Sequence, residues 1–204
     1  MVNRILFTRH GETEDNVIRR LSTSPPGPKL TNLGQEQAMD LANKIKEVQI
    51  DVIYSSPLVR AMQTAEIIIG DRGIKIYPDD GLKELSVGVL EGRNDDEAFE
   101  ELDKIWHSWT VERNLDTLTA EGGETAKQVL ERSVKSFKNI IENNESSTVL
   151  IVAHSGILQL LIPEVAENIP YNFGVKNWLR NCQLVDLIRE EDKFICVSWG
   201  DIKF

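Results

Sequence analysis

Apolar residues fall into two rhythms along this chain. Short unbroken runs, Ile5-Leu6-Phe7, Ile50 to Tyr54, Ile74 to Tyr77 and Thr148-Val149-Leu150-Ile151-Val152, are bounded by polar turns. Such runs fit strands covered on both faces. Between them apolar positions recur at helical spacing. Ala38, Leu41, Ile45 and Val48 predict an amphipathic helix over 32–48 behind Thr31 as N-cap. Leu58, Ala61, Met62, Ala65 and Ile69 predict a second, with Ser56 as cap, Pro57 at the first helical position and Gly70 at the end. Helices are also expected from Glu12 to about Arg20, over 95–109, from Glu124 to Ile141, and from Gly156 to about Ile162. Leu184 to Ile188 and Phe194 to Trp199 read as a closing hairpin around Glu190 and Glu191. Strands alternating with helices predict an α/β fold, and 204 residues fit a single domain over 1–204.

The irregular stretches stand out against this rhythm. Residues 21–29 hold three prolines and a glycine and cannot be helical. They are read either as a solvated connector or as a loop whose Ser22, Thr23 and Ser24 hydroxyls reach a phosphate. Segments 78–123 and 163–180 show little sustained regular structure beyond the 95–109 helix and are the candidate lids. Of the paired tryptophans Trp106 and Trp109, core packing is the favoured reading over a pocket wall, and His107 between them is read as a surface residue.

A formal net charge of −10 argues against sequence-independent binding to nucleic acid or to an anionic membrane. Any phosphate site must then be a local cluster of cations. Met1-Val2-Asn3-Arg4 leads directly into the first strand, with no signal-peptide core and no apolar span of membrane length. The expected compartment is the cytoplasm. Cys182 and Cys196 form no CxxC pair and read either as buried free thiols or as two residues facing across the terminal hairpin. Three histidines without HxH or HExxH spacing make no metal site.

The chemistry sits at strand ends. Arg9-His10-Gly11-Glu12-Thr13, with Asn16 one turn on, follows the first strand, and Ala153-His154-Ser155-Gly156 follows the run at 148–152. Arg60 lies in the first turn after the second strand. Open α/β sheets bind ligands at the carboxyl ends of their strands. A phosphomonoester is a dianion that repels a nucleophile. Arginine forks neutralise it bidentately, and a neutral imidazole can attack it. The alkoxide that leaves is a strong base and requires a general acid.

These blocks resemble the signature of the histidine phosphatase superfamily, in its phosphoglycerate-mutase-like branch. The resemblance extends through Leu30-Thr31-Asn32-Leu33-Gly34 with Gln37-Ala38, through Ser55-Ser56-Pro57-Leu58 with Arg60-Ala61 and Gln63-Thr64-Ala65, through Leu82-Lys83-Glu84 with Gly88 and Glu91-Gly92, and through Gly122-Gly123-Glu124-Thr125. It implies a three-layer α/β/α sandwich with a mostly parallel sheet. It implies His10 as the nucleophile, Arg9, Arg60 and His154 as the phosphate pocket, Asn16 and Ser155 as further substrate contacts, and Glu84 as proton donor. Without it, Glu84 does not stand out among the many carboxylates. No metal or organic cofactor is implied, and the expected partner is a small phosphorylated substrate.

Three departures shape the expectation. Arg20-Leu21-Ser22-Thr23 stands where the family often has Arg-x-Gln-Gly, and Ala-His-Ser-Gly where it often has Ser-His-Gly-Gly. Leu85-Ser86-Val87-Gly88 follows Glu84, where cofactor-dependent mutases usually carry an arginine and then Tyr-Gly. The favoured activity is therefore a phosphomonoesterase, with a cofactor-dependent phosphoglycerate mutase second and a non-catalytic phosphate-binding module third.

Overall fold

A computed structural model describes residues 4–204, so Met1-Val2-Asn3 lies outside the described residues. In chain order the elements are β1 (Arg4–Arg9), α1 (Glu14–Val17), α2 (Asn32–Lys44), β2 (Val52–Ser55), α3 (Val59–Ile69), β3 (Ile76–Pro78), α4 (Asp96–Thr110), α5 (Ala126–Asn143), β4 (Thr148–Ala153), α6 (Ser155–Val165), α7 (Phe173–Lys176), β5 (Leu184–Glu190), β6 (Lys193–Trp199) and β7 (Ile202–Lys203).

The unbroken apolar runs become the middle of one seven-stranded sheet, in the order β3-β2-β4-β1-β5-β6-β7. Successive side chains of a strand point to opposite faces. Ile5 and Phe7 of β1, with Val149 and Ile151 of β4, join the large core on one side, which includes residues of α4, α5 and α6. Leu6, Leu150 and Val152 join Leu41 of α2 and Ala61, Ala65 and Ile68 of α3 on the other. The sheet is thus covered on both faces, giving three layers.

The sheet itself corrects the expectation of a mostly parallel one: it is mixed. β3, β2, β4 and β1 run parallel, whereas β5 pairs antiparallel with β1, β6 with β5 and β7 with β6. The terminal hairpin, foreseen as a unit, docks on the free edge of β1 and continues the sheet. Several helix boundaries also differ, including that of α2, which ends at Lys44 rather than at Val48. Thr13 caps α1 and Arg19 takes a φ of +52°, so the helix ends at Val17 rather than near residue 20. Helix α3 starts at Val59 behind Leu58, and the Ser56 hydroxyl accepts from the Leu58 N–H and bonds His154 instead of capping the helix. Helix α6 runs past Ile162 through Pro163 to Val165.

Cys182 and Cys196 are both free thiols, and Cys196 is buried. They pack in the cores on opposite sides of the sheet, so they do not face each other.

Candidate active site

The register of the parallel strands assembles the site. Arg9, the last residue of β1, lies beside Ala153, the last of β4. The next residue on each strand is a histidine, and the two rings meet with centroids 5.1 Å apart. On the other flank of β4, Ser55 of β2 lies beside Val152, which sets Ser56 next to His154 and α3 above it. Arg60, the second residue of α3, then reaches back over the sheet to His10. Three strand ends therefore bring together residues separated by more than 140 positions in the chain.

His10 and His154 are 3% and 0% exposed, and Arg60 is 3% exposed. His10 Nδ1 lies 2.7 Å from the Gly11 carbonyl, which can only accept, so this nitrogen carries the proton. The lone pair is on Nε2, which accepts from Arg60 Nε–H at 3.0 Å. Burial pushes the His10 pKa well below 6.5, and the cations of Arg60 and Arg9 push it further in the same direction, against the Gly11 bond. His154 is held neutral likewise, by burial first and then by Arg60, His10 and Arg9. Its Nε2 lies 2.7 Å from Ser56 Oγ, while Nδ1 is buried with no partner among the described residues. When the Ser56 hydroxyl donates to His154 Nε2, Nδ1 carries the ring proton and is an unused N–H donor.

The two arginines keep unused donors as well. Arg60 Nη2 donates to the Ser22 carbonyl and Arg9 Nη1 to the Leu179 carbonyl. Arg60 Nη1 and Arg9 Nε are buried without partners among the described residues. Burial brings the Arg60 guanidinium down to about 10 despite the opposing pull of Glu84, so it remains charged at neutral pH. Buried N–H groups left without an acceptor are costly. Two of them belong to Arg9 and Arg60, cations that line one cavity of about 410 Å³, an arrangement suited to an anion.

Glu84 also lines this cavity. Its Oε1 accepts from the N–H groups of Leu85 and Ile157, and its Oε2 from Gly156 N–H. The latter two belong to the first turn of α6, whose dipole favours a negative group there. Asn16, Ser22, Thr23 and Ser155 also line the cavity. The hydroxyl of Thr23 is committed to Glu91 Oε2 at 2.6 Å, and the N–H groups of Thr23 and Ser24 also go to Glu91, so the proline loop is pinned here through its backbone. Asn16 turns its Oδ1 to Thr13 N–H and to Asn181, which frees its amide NH₂.

Several supporting residues carry no local signal in the sequence. Asn181 Nδ2 donates to the His10 carbonyl at 2.9 Å, and Cys182 N–H donates to the Arg9 carbonyl, so a turn near the C-terminus fixes the Arg9-His10 segment. Arg132 of α5 donates to the carbonyls of Gly81, Lys83 and Glu84 and forms two bonds to the Glu124 carboxylate. It thereby holds the backbone that carries Glu84. Replacing Arg132 by methionine leaves three carbonyls and a half-buried carboxylate short of donors. The expected results are a loss of roughly 3 kcal/mol in unfolding free energy by denaturant titration and a fall in kcat larger than the change in KM. The family block at Leu30–Gly34 also gains a reason: a Cβ on Gly34 would lie 2.1 Å from the Glu12 carbonyl oxygen, so only glycine lets α2 sit against the turn after His10.

Among the described residues no group of three or more His, Cys, Asp or Glu side chains is gathered to hold a metal ion. No helix among them is long and apolar enough to cross a membrane.

A sequence profile of the histidine phosphatase superfamily (branch 1) matches residues 5–202. The chain belongs to this superfamily. It is 33% identical over 202 residues to a probable phosphoglycerate mutase, GpmB, of Escherichia fergusonii, covering 96% of this chain and 89% of that protein. Its structure is similar to Bacillus stearothermophilus YhfR, with a TM-score of 0.84 at 30% identity over 100% of this chain and 98% of the other. It is also similar to a phosphoserine phosphatase of Entamoeba histolytica solved with 3-phosphoglyceric acid, with a TM-score of 0.81 at 26% identity over 99% and 98% of the two chains. Histidine phosphatases and mutases are enzymes, and the relatives named as phosphatases act on small phosphorylated compounds.

Neutral buried imidazoles give this site a pH signature. The native pKa of each histidine is lowered, so between that value and 6.5 the unfolded chain binds more protons than the folded one. Stability therefore rises with pH through that window and is lost as pH falls through it. Denaturant titrations from pH 7 downward are expected to show this slope, and kcat/KM is expected not to fall at the ordinary imidazole pKa, because His10 stays unprotonated below it.

Proposed function

We propose that this protein is a metal-independent phosphomonoesterase that works through a phosphohistidine on His10. The observation that carries the reading is the pair of contacts at His10, Nδ1 on the Gly11 carbonyl and Nε2 under Arg60 Nε–H, which assign the tautomer. Its proton is directed to Gly11, and its Nε2 lone pair faces a cavity containing two arginines with unused donors.

In the first step the phosphoryl group takes the N–H bonds of Arg9, Arg60 and His154. The Arg60 Nε–H that rests on His10 Nε2 moves to a phosphoryl oxygen, which uncovers the lone pair. Nε2 forms a bond to phosphorus as the ester P–O bond breaks, and the leaving oxygen takes a proton from Glu84. The second oxygen of Glu84 accepts only one N–H, so it has room for that proton. The negative charge left after donation is received by the three N–H groups around it. In the second step the Glu84 carboxylate takes a proton from water. The hydroxide oxygen bonds to phosphorus, and the P–N bond breaks with its electron pair returning to Nε2. His154 Nδ1–H and the arginines hold the charge that builds on the equatorial oxygens.

A cofactor-dependent phosphoglycerate mutase is the second reading, favoured by the name of the Escherichia relative. Against it stands Leu85, a buried apolar residue directly after the acid. Phosphate release from a panel of phosphomonoesters in EDTA, with wild type beside His10→Ala, tests the choice. Release by wild type alone supports the phosphatase. No release, together with primer-dependent isomerisation of phosphoglycerate, supports the mutase.

A further inference from the structure

Part of the cavity lining is apolar. Leu85 and Val87 follow the acid, Phe99, Leu102 and Trp106 come from one face of α4, and Trp178 comes from the turn after α7. Trp106 and Trp178 stand edge to face, with centroids 5.6 Å apart and planes at 88°. Trp178 is 44% exposed, so part of its ring is open to a ligand in the cavity.

The charges at the rim do not offset this wall in favour of an anion. Arg19 lies 3.5 Å from the Asp96 carboxylate and its guanidinium stacks over Phe99 at 4.7 Å. Arg20 lies 3.4 Å from the carboxylate of Asp15. Both rim cations are therefore already paired. Asp103 lines the same wall and has no cationic partner among the described residues. A carboxylate carried on the alcohol side of a substrate would thus meet Asp103 and aromatic rings, with no unpaired cation among the described lining residues other than Arg9 and Arg60.

We infer that the alcohol released by this enzyme is uncharged and apolar, carrying a ring or a comparable hydrocarbon body that packs against Phe99, Leu102, Trp106 and Trp178, and that compact phosphorylated hydroxy acids are poor substrates. The inference rests on the hydrolytic reading given above and names its substrate class.

The test compares 2-phenylethyl phosphate with ethyl phosphate and 3-phosphoglycerate. The first two release primary alcohols of similar basicity, so the ring changes binding and not the demand for a proton. Burying the ring against this wall is expected to raise kcat/KM for the phenylethyl ester at least about tenfold above that for the ethyl ester. 3-Phosphoglycerate is expected to rank last. Trp178→Ala is expected to bring the ratio between the two esters toward one, and Phe99→Ala, at a half-buried position, gives an independent reading of the same wall. Equal kcat/KM for the two esters, or a preference for 3-phosphoglycerate, overturns the inference and leaves the phosphatase reading standing. If wild type hydrolyses none of the three, the hydrolytic reading fails instead. Quenching of tryptophan fluorescence by the same esters then decides the wall: tighter binding of the phenylethyl ester upholds it and equal affinity overturns it.

Discussion

His10→Ala is expected to lower kcat/KM for phosphomonoester hydrolysis by at least about 10⁴-fold, in line with the loss of a nucleophile that works as part of a unit. The size follows from the geometry. Nε2 is the unprotonated nitrogen, it lies within the reach of two arginines, and no other described side chain offers a lone pair at that place with its proton directed elsewhere. His154 cannot take over, because its Nε2 is bound to Ser56. The substitution removes a ring that is 3% exposed, so it also leaves a space beside Arg60. Added imidazole is expected to recover part of the activity by occupying that space. Recovery would separate a missing nucleophile from a misfolded chain, and full activity in the alanine variant would show that His10 is not the attacking group. Circular dichroism of the variant should match wild type.

Glu84→Gln carries the second large expectation, and its size should depend on the leaving group. A proton donor matters when the departing oxygen is strongly basic. For an alkyl ester the loss is expected to be about 10³-fold, within the range for general acid catalysis. For 4-nitrophenyl phosphate, whose phenolate leaves without a proton, the loss in the first step should be far smaller. Single-turnover release of the alcohol with the two esters makes the comparison. The glutamine keeps the acceptor for Leu85 and Ile157 N–H, but its amide nitrogen cannot accept from Gly156, so a moderate loss of stability accompanies the change. Equal losses for both esters would make Glu84 a positioning residue rather than an acid.

The sequence was most informative where chemistry and register coincide. The unbroken run at 148–152 and the shorter one at 5–7 announce strands covered on both faces, and their shared register sets His10 beside His154. The motif at Arg9–Thr13 marks the site because strand ends point their following residues out of the sheet. Glu84 is different: it lies in a segment without period, and only the resemblance singled it out. Arg132 and Asn181 were beyond reach for a related reason. Each acts on backbone carbonyls more than 40 positions away, and hydrogen bonding to a distant main chain imposes no local pattern. The mixed sheet was missed because a hairpin's own pairing is local, whereas its docking on β1 spans almost the whole chain.

The tryptophans show the limit of choosing between two uses. Core packing and a pocket wall are both open to Trp106 and Trp109 from sequence, and the two residues divide between them. Trp109 is 0% exposed and bonds the Thr117 carbonyl, whereas Trp106 belongs to the core and lines the cavity at once. Trp178 completes the wall from a turn with no periodicity to mark it. Local pattern therefore places the residues at the strand ends, and long-range packing shapes the apolar part of the cavity.

The central claim is transfer of the phosphoryl group to His10 before it reaches water. Hydrolysis of an ester made chiral at phosphorus with oxygen and sulfur isotopes or substituents tests it most directly, whether or not the intermediate accumulates. Two in-line displacements, first by Nε2 and then by water, predict net retention of configuration. Net inversion would mean a single displacement by water and would contradict the account.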